Sequence, residues 1–347
     1  MSFEALKSWR PRAHSLRVRT LDTHTGGEPL RIIVDGVPPI PGATILERRK
    51  YVREHLDWIR TTLMYEPRGH REMYGCLVVP PVTPGAHLGA LFMHTEGYST
   101  MCGHGVIALA MVAVETGLVP PSAGGVEVRI DTPAGLVVAW VDAGHAEGAR
   151  RVTFRNVPSF VLALDRVIEV PDVGWVKYDL AYGGAFYAHV EAATLSVRLT
   201  RDECARLTAL GTAVTRAVAH ADDVAHPTEP ELSFLYGSIL VGPSPHDGVH
   251  SRNVCIFGDG QIDRSPTGTG VSARLAVHHA RGELGIGDEV VIESIVGSRF
   301  TGRIVETTRV GHRPGVVTEV TGTAFITGHH EFLVEAADPL GQGFRLG

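Results

Sequence analysis

Most of this chain alternates between apolar and polar residues in short runs broken by glycine and proline, the pattern of half-buried strands joined by tight turns. Leu16 to Leu21 and Leu30 to Val34 alternate in this way around Thr23-His24-Thr25-Gly26-Gly27-Glu28-Pro29, which predicts a loop. Thr44 and Glu47 have capping-box spacing, and Val52, Leu56, Ile59 and Leu63 follow at helical spacing. One amphipathic helix is predicted there, ended by Glu66-Pro67-Arg68-Gly69. Strands are predicted at Cys76 to Val79, Leu88 to Met93 and through 126–160, with turns at Pro133-Ala134-Gly135 and near Gly144. Beyond Pro158, Val176 to Leu180 and Phe186 to Val190 flank Tyr182-Gly183-Gly184. Thr200 and Glu203 then repeat the capping box ahead of Ala205, Leu207, Leu210 and Val214. Leu232 to Val241, Val254 to Phe257 and a run of strands to Phe325 follow. The stretch around Asp338-Pro339-Leu340-Gly341 is expected to pack back on the first half.

Two stretches break the alternation. Val106 to Val114 is apolar almost without interruption, which predicts a helix buried on every side. It is preceded by Ser99-Thr100-Met101-Cys102-Gly103-His104-Gly105, so its first backbone N–H groups are unpaired and open to an anion. A cysteine at such a position is expected to have a lowered pKa. About half a chain later Asp263-Arg264-Ser265-Pro266-Thr267-Gly268-Thr269-Gly270-Val271 repeats the pattern, again followed by a helical stretch through Ala273, Leu275, Ala276 and Val277. In each half an amphipathic helix precedes a more apolar one amid strands. The spacing predicts an α+β protein of two similar halves.

With 347 residues the chain is long enough for two domains. A net charge of −6 with interspersed signs gives no reason to expect a nucleic-acid or membrane partner. The first sixteen residues lack a signal-length apolar core, and no run is long enough for a membrane span. Four cysteines do not make a disulfide framework. Cys76, Cys204 and Cys255 read as buried small hydrophobes, and a reducing cytoplasm suits the thiol at Cys102. His246 and His250 are spaced i, i+4 but lack the glutamate of a metalloprotease pair, so no metal is expected. No lysine motif for a pyridoxal cofactor is present, and no cofactor is expected.

The motifs together resemble the proline racemase family over most of the chain. The resemblance is carried by Asp22-Thr23-His24-Thr25-Gly26-Gly27-Glu28-Pro29, Glu66-Pro67-Arg68-Gly69-His70, Met73-Tyr74-Gly75, the Cys102 motif, Asn156-Val157-Pro158-Ser159-Phe160, Arg252-Asn253-Val254, Phe257 and the Asp263 motif. It implies two lobes, each a curled mixed sheet around a central helix as in diaminopimelate epimerase, with the two helix N-termini facing across a cleft. The lobes are expected at 1–157 and 158–329, with 330–347 completing the first.

Carried onto this sequence, the family's sites imply Cys102 as the base. Gly103 and His104 would bind a substrate carboxylate by backbone amides, with Gly268 and Thr269 as the opposite amide pair. Asp263 would accept from the substrate's ring ammonium, and Tyr74 and Phe257 would wall the pocket. Racemases and epimerases of the family have cysteine in both motifs, whereas here the second position is Thr267. Cysteine followed by threonine is the pattern of the trans-3-hydroxy-L-proline dehydratase branch, which implies a hydroxyproline substrate, no cofactor and a homodimer. A hydroxyl is far too weak an acid to partner a thiolate, so two-base racemisation is expected to be crippled. Thr95 also departs from the asparagine expected there. The alternatives are a 4-hydroxyproline epimerase or proline racemase working with one thiol, and a non-catalytic imino-acid-binding protein.

Overall fold

The computed structural model describes residues 3–11, 15–143 and 150–346, so the turn expected near Gly144 lies outside the described residues. The first half holds α1 (Glu4–Lys7), β1 (Leu16–Thr25), β2 (Glu28–Asp35), α2 (Ile45–His55), α3 (Trp58–Met64), β3 (Tyr74–Val79), β4 (Leu88–His94), β5 (Gly97–Tyr98), α4 (Gly103–Glu115), β6 (Val126–Thr132), β7 (Gly135–Val141) and β8 (Arg151–Arg155). The second holds β9 (Ser159–Val170), β10 (Gly174–Tyr182), β11 (Phe186–Glu191), α5 (Cys204–Ala221), β12 (Leu235–Gly242), β13 (Ser251–Phe257), β14 (Gln261–Ile262), α6 (Gly268–Ala280), β15 (Glu289–Glu293), β16 (Arg299–Val310) and β17 (Arg313–Val334).

The strands close two rings. In the first, β17 pairs antiparallel with β1 and β1 with β2, then β2 runs parallel to β3. β3 pairs antiparallel with β4, β4 parallel with β6, and β6, β7, β8 and β17 complete the ring antiparallel. The second ring follows the same sequence of pairings. β9, β10 and β11 are antiparallel, β11 is parallel to β12, and β12 is antiparallel to β13. β13 is then parallel to β15, and β15, β16, β17 and β9 close antiparallel. The internal repeat inferred from two short motifs therefore extends to the whole strand order.

β17 belongs to both rings. Its Gly315 and Val316 lie against β9, Glu319 to Thr323 against β8, and Ala324 to Val334 against β1. The return to the first half begins at Glu319, where β17 meets β8, ahead of residue 330. Arg68 then ties down the closing stretch through the carbonyls of Leu333 and Gly341. We propose that the lobes divide near Pro158, with β17 as the shared seam.

α4 fills the first ring and α6 the second. Gly103 to Val114 are all buried, as are Gly268 to Val277. Each fully buried Val, Leu or Ile of α4 contributes roughly 1.5–3 kcal/mol, which explains why a helix with no polar face is stable here.

Three local expectations are corrected. The loop at 23–29 is a tight hairpin, with β1 and β2 paired up to Thr25 and Glu28 around Gly26 and Gly27, both at positive φ. The helix after Thr44 is two helices. Thr44 does cap it, accepting from Glu47 N–H at 3.1 Å, but Leu56 leaves helical geometry and Asp57 turns to hold Arg60 and Tyr98. At Thr200 the side chain makes no cap. Glu203 N–H goes instead to the Thr200 carbonyl in a short 3₁₀ turn, and α5 starts at Cys204.

Candidate active site

The starts of α4 and α6 meet in the middle of the molecule. Gly103 and Gly268 are so close that a Cβ on either would fall within 3 Å of the other's backbone. At α4, Cys102 is the N-cap. Its Sγ accepts from Gly105 N–H at 3.2 Å, and its carbonyl accepts from Val106 N–H at 2.9 Å. That leaves the first two amides of the helix, Gly103 and His104, for a ligand. At α6 the Thr267 carbonyl accepts from Val271 N–H at 2.7 Å, and Gly268 and Thr269 hold the corresponding positions. Two positive helix ends thus converge on one small space.

All nine residues singled out in the sequence line a cavity between the helix starts: Tyr74, Cys102, Gly103, His104, Phe257, Asp263, Thr267, Gly268 and Thr269. The cavity is small, with the two helix starts among its walls.

The two halves differ at the cap. Cys102 is extended (φ −142°), whereas Thr267 sits at φ +65°. A β-branched residue with positive φ is strained, at a cost of about 1–3 kcal/mol. Thr267 is held there by its neighbours. Its Oγ1 donates to Asp263 Oδ2 at 2.8 Å and its N–H to Ser265 Oγ at 3.1 Å. Asp263 Oδ1 also accepts from Ser265 N–H at 2.7 Å, so the carboxylate is part of the turn as well as of the cavity wall. Arg264 is not its partner. That guanidinium pairs with Glu72, and its backbone N–H donates to Glu28 Oε2 at 2.7 Å.

Cys102 Sγ lies 3.2 Å from His104 Nδ1. Burial pushes the thiol pKa well up, with the Asp263 charge adding to it and the Gly105 N–H opposing, while burial pushes His104 down. Both directions favour a neutral thiol beside a neutral imidazole. This corrects the lowered pKa expected from the helix terminus: at this buried thiol desolvation outweighs the Gly105 hydrogen bond. Glu28, also buried, has its pKa pushed well up by burial and by the Asp263 charge.

Met101, Tyr187, Tyr236 and Cys255 also line the cavity and were missed in the sequence. Tyr187 reaches Thr269 Oγ1 at 2.7 Å, Tyr236 stacks on Phe257 at 5.4 Å, and Tyr74 bonds Ser99 at 2.6 Å. Cys255 could have been found, because it shares a strand face with Phe257 two residues on. Cys76 is buried as expected, but Cys204 is only half-buried. Among the described residues no group of His, Cys, Asp and Glu is arranged to hold a metal. His246 instead contacts Glu293 at 2.7 Å, and His250 contacts Ser251 at 3.1 Å. No helix among the described residues is long and apolar enough to cross a membrane.

Two closed rings with facing helix starts place a thiol on one side and a hydroxyl on the other side of one small cavity. Residues 20–345 match the proline racemase family, and the chain belongs to it. It is 44% identical over 343 residues to a trans-3-hydroxy-L-proline dehydratase of Colwellia psychrerythraea, covering 98% of this chain and 96% of that one. It is 46% identical over 331 residues to the human trans-3-hydroxy-L-proline dehydratase, covering 94% of each. Among solved structures, a hydroxyproline epimerase from Agrobacterium vitis with bound trans-4-hydroxy-L-proline superposes with a TM-score of 0.90 at 32% identity, over 95% of both chains.

Proposed function

We propose that the chain is a hydro-lyase that dehydrates trans-3-hydroxy-L-proline, giving Δ2-pyrroline-2-carboxylate, which tautomerises to the Δ1-imine. The observation that carries this reading is the pairing across one cavity of Cys102 with a threonine whose hydroxyl is committed to Asp263. The homologues named for this activity support it.

In this reading the substrate carboxylate lies between the amides of Gly103 and His104 and those of Gly268 and Thr269. The helix ends stabilise the enolate-like charge that develops there when the α-proton leaves. At rest the Cys102 thiol keeps its proton. In the loaded pocket the substrate's ring ammonium supplies a positive charge, and His104 Nδ1 gives the thiol proton a place to go. The thiolate takes the α-proton, and the C2 electron pair forms the C2=C3 bond as the 3-hydroxyl departs. The α-hydrogen and the 3-hydroxyl share a ring face in this substrate. The thiol can therefore return the same proton to the hydroxyl, so that water leaves and the thiolate is restored. Thr267 and Asp263 stand on the far side as a hydrogen-bonding wall, with Asp263 free to accept from the ring ammonium through its remaining lone pairs. Tyr74 and Phe257 bound the ring's CH₂ groups.

The reaction needs no cofactor in this scheme. A free Cys102 thiol suits a reducing compartment such as the cytoplasm. A homodimer is part of the same proposal, and the exposed apolar pair Phe325 and Ile326 on β17 gives it a candidate surface. Light scattering of the purified chain tests it.

The activity is tested by offering proline, both 4-hydroxyproline epimers and trans-3-hydroxy-L-proline. Imine product from the last alone is expected. Epimerised 4-hydroxyproline, or deuterium entering at Cα without loss of hydroxyl, would instead identify an isomerase.

A further inference from the structure

The motif from Asp22 to Pro29 carries none of the chemistry described above, yet its hairpin touches both halves of the site. Thr25 is fully buried, and its Oγ1 donates to the His104 carbonyl at 2.9 Å, on the first turn of α4. Directly across the hairpin, in register with Thr25, stands Glu28. Glu28 is 1% exposed, and its Oε2 accepts from Arg264 N–H at 2.7 Å. That N–H belongs to the peptide unit that follows Asp263. The hairpin tip is pressed against the second half. A Cβ on Gly26 would lie 2.9 Å from Ser298 Oγ, and one on Gly27 would lie 3.3 Å from Val296 Cγ2.

Facing residues of an antiparallel pair stand about 5 Å apart. Two motifs from opposite halves of the chain are thus referred to one short, fixed span. On the α4 side the held carbonyl belongs to His104, whose ring contacts Cys102. On the other side the held peptide unit adjoins Asp263, whose carboxylate fixes Ser265 and Thr267. The Asp263 N–H is tied within its own half, to the Cys255 carbonyl at 3.0 Å. Arg264 is gripped from the first half a second time, by Glu72 at its guanidinium. Stability alone does not account for Glu28, because sealing a carboxyl group away from water costs more than one backbone hydrogen bond returns. Geometry does. A misplacement of about 1 Å in a site can cost on the order of 10²-fold in rate, so a fixed spacer between the two motifs has a kinetic effect.

We propose that Thr25 and Glu28 are positioning residues: through them the β1–β2 hairpin sets the distance between the Asp263–Thr267 wall and the Cys102 motif. This rests on the reading of those two motifs as opposite sides of one substrate site.

Two pairs of variants test it. Thr25→Val and Glu28→Met lose the hydrogen bond and keep the bulk, whereas Thr25→Ser and Glu28→Gln keep the hydrogen bond. Thr25→Val leaves nothing unpaired, because the His104 carbonyl retains its helical partner, so this variant should fold as wild type does. Kinetics are measured with trans-3-hydroxy-L-proline, and calorimetric binding with pyrrole-2-carboxylate, which needs no turnover. Thr25→Val and Glu28→Met should each lower kcat ~10-fold or more, with a smaller change in KM, and should weaken the analogue by a similar factor. Thr25→Ser and Glu28→Gln should stay close to wild type in both. Bonds that serve stability alone would shift the urea midpoint and leave kcat per folded enzyme and analogue affinity unchanged; that result overturns the proposal. So does a loss in Thr25→Ser and Glu28→Gln as large as in their partners. A wild type that binds the analogue without dehydrating the substrate defeats the dehydratase reading alone, and the analogue affinities then decide the role of the hairpin. A wild type that does neither defeats both.

Discussion

Gly103 and Gly268 pack backbone to backbone: a Cβ on Gly103 would lie 2.7 Å from the Gly268 Cα, and one on Gly268 would lie 2.9 Å from the Gly103 Cα. Phe154 Cζ sits 3.1 and 3.2 Å from the same two points and closes the space beneath. Neither helix start can acquire a side chain without pushing the other away. Gly103→Ala should therefore separate the two amide pairs while leaving both barrels folded. Because a displacement near 1 Å can cost about 10²-fold in rate, kcat/KM for the 3-hydroxy substrate should fall by roughly that factor. Steady-state kinetics alongside circular dichroism checks this, and an alanine variant of full activity would mean that the two amide pairs do not act on one carboxylate.

Cys102 should behave as a thiol with a raised pKa in the free enzyme, since burial favours its neutral form. Iodoacetamide modification of Cys102 should keep climbing as pH passes the ordinary cysteine value of about 8.5, without an earlier plateau. The half-buried Cys204 should label first. Mass mapping at a series of pH values distinguishes this from a thiolate already formed near neutrality. Cys102→Ser should lose turnover by about 10²-fold or more, yet still bind pyrrole-2-carboxylate, because the amide cradle remains.

Thr267→Cys places a thiol on the wall opposite Cys102. Exchange of the proline α-proton with solvent should rise above wild type, and dehydration of the 3-hydroxy substrate should fall. The gain should be small for two reasons visible at the site. Position 267 is held at φ +65° by hydrogen bonds to Asp263 and Ser265, and a thiol donates more weakly than the hydroxyl it replaces. The Asp263 carboxylate would also oppose formation of a thiolate beside it. Exchange at the wild-type level, in a variant whose new thiol can be alkylated, would show that the two side chains do not address opposite faces of one carbon.

Glu28 lends itself to a test by pH. Its folded pKa is raised by burial and by Asp263, so folding takes up a proton once the unfolded chain has ionised. Its contribution is complete below the unfolded value of about 4.3 and is lost as pH rises towards the folded value. Glu28→Gln keeps an oxygen to accept from Arg264 N–H and has no proton to lose. The variant should match wild type near pH 4 and become the more stable of the two as pH rises towards neutrality. Urea unfolding across that range measures the difference, and a gap that stays constant with pH would place the carboxylate in an ordinary ionised state.

The sequence by itself determined what depends on neighbours within a few residues. The all-apolar stretch after Cys102 forms the buried α4, Thr44 caps α2, and the two Gly-rich motifs open two equivalent helices, because periodicity and turn chemistry act locally. Those motifs also named every residue expected at the site. The rest was decided by contacts between distant parts of the chain. Tyr187 and Tyr236 reach the cavity only because β11 and β12 are brought against the helix starts. β17 joins both rings through β1, β8 and β9, all far away in sequence. The two caps look alike as strings, yet one is extended and the other is turned to positive φ by Asp263 and Ser265. A helix terminus also lowers a thiol pKa only where water or charge supports the anion. At Cys102 burial between the two halves, which no local motif encodes, sets the direction of the shift.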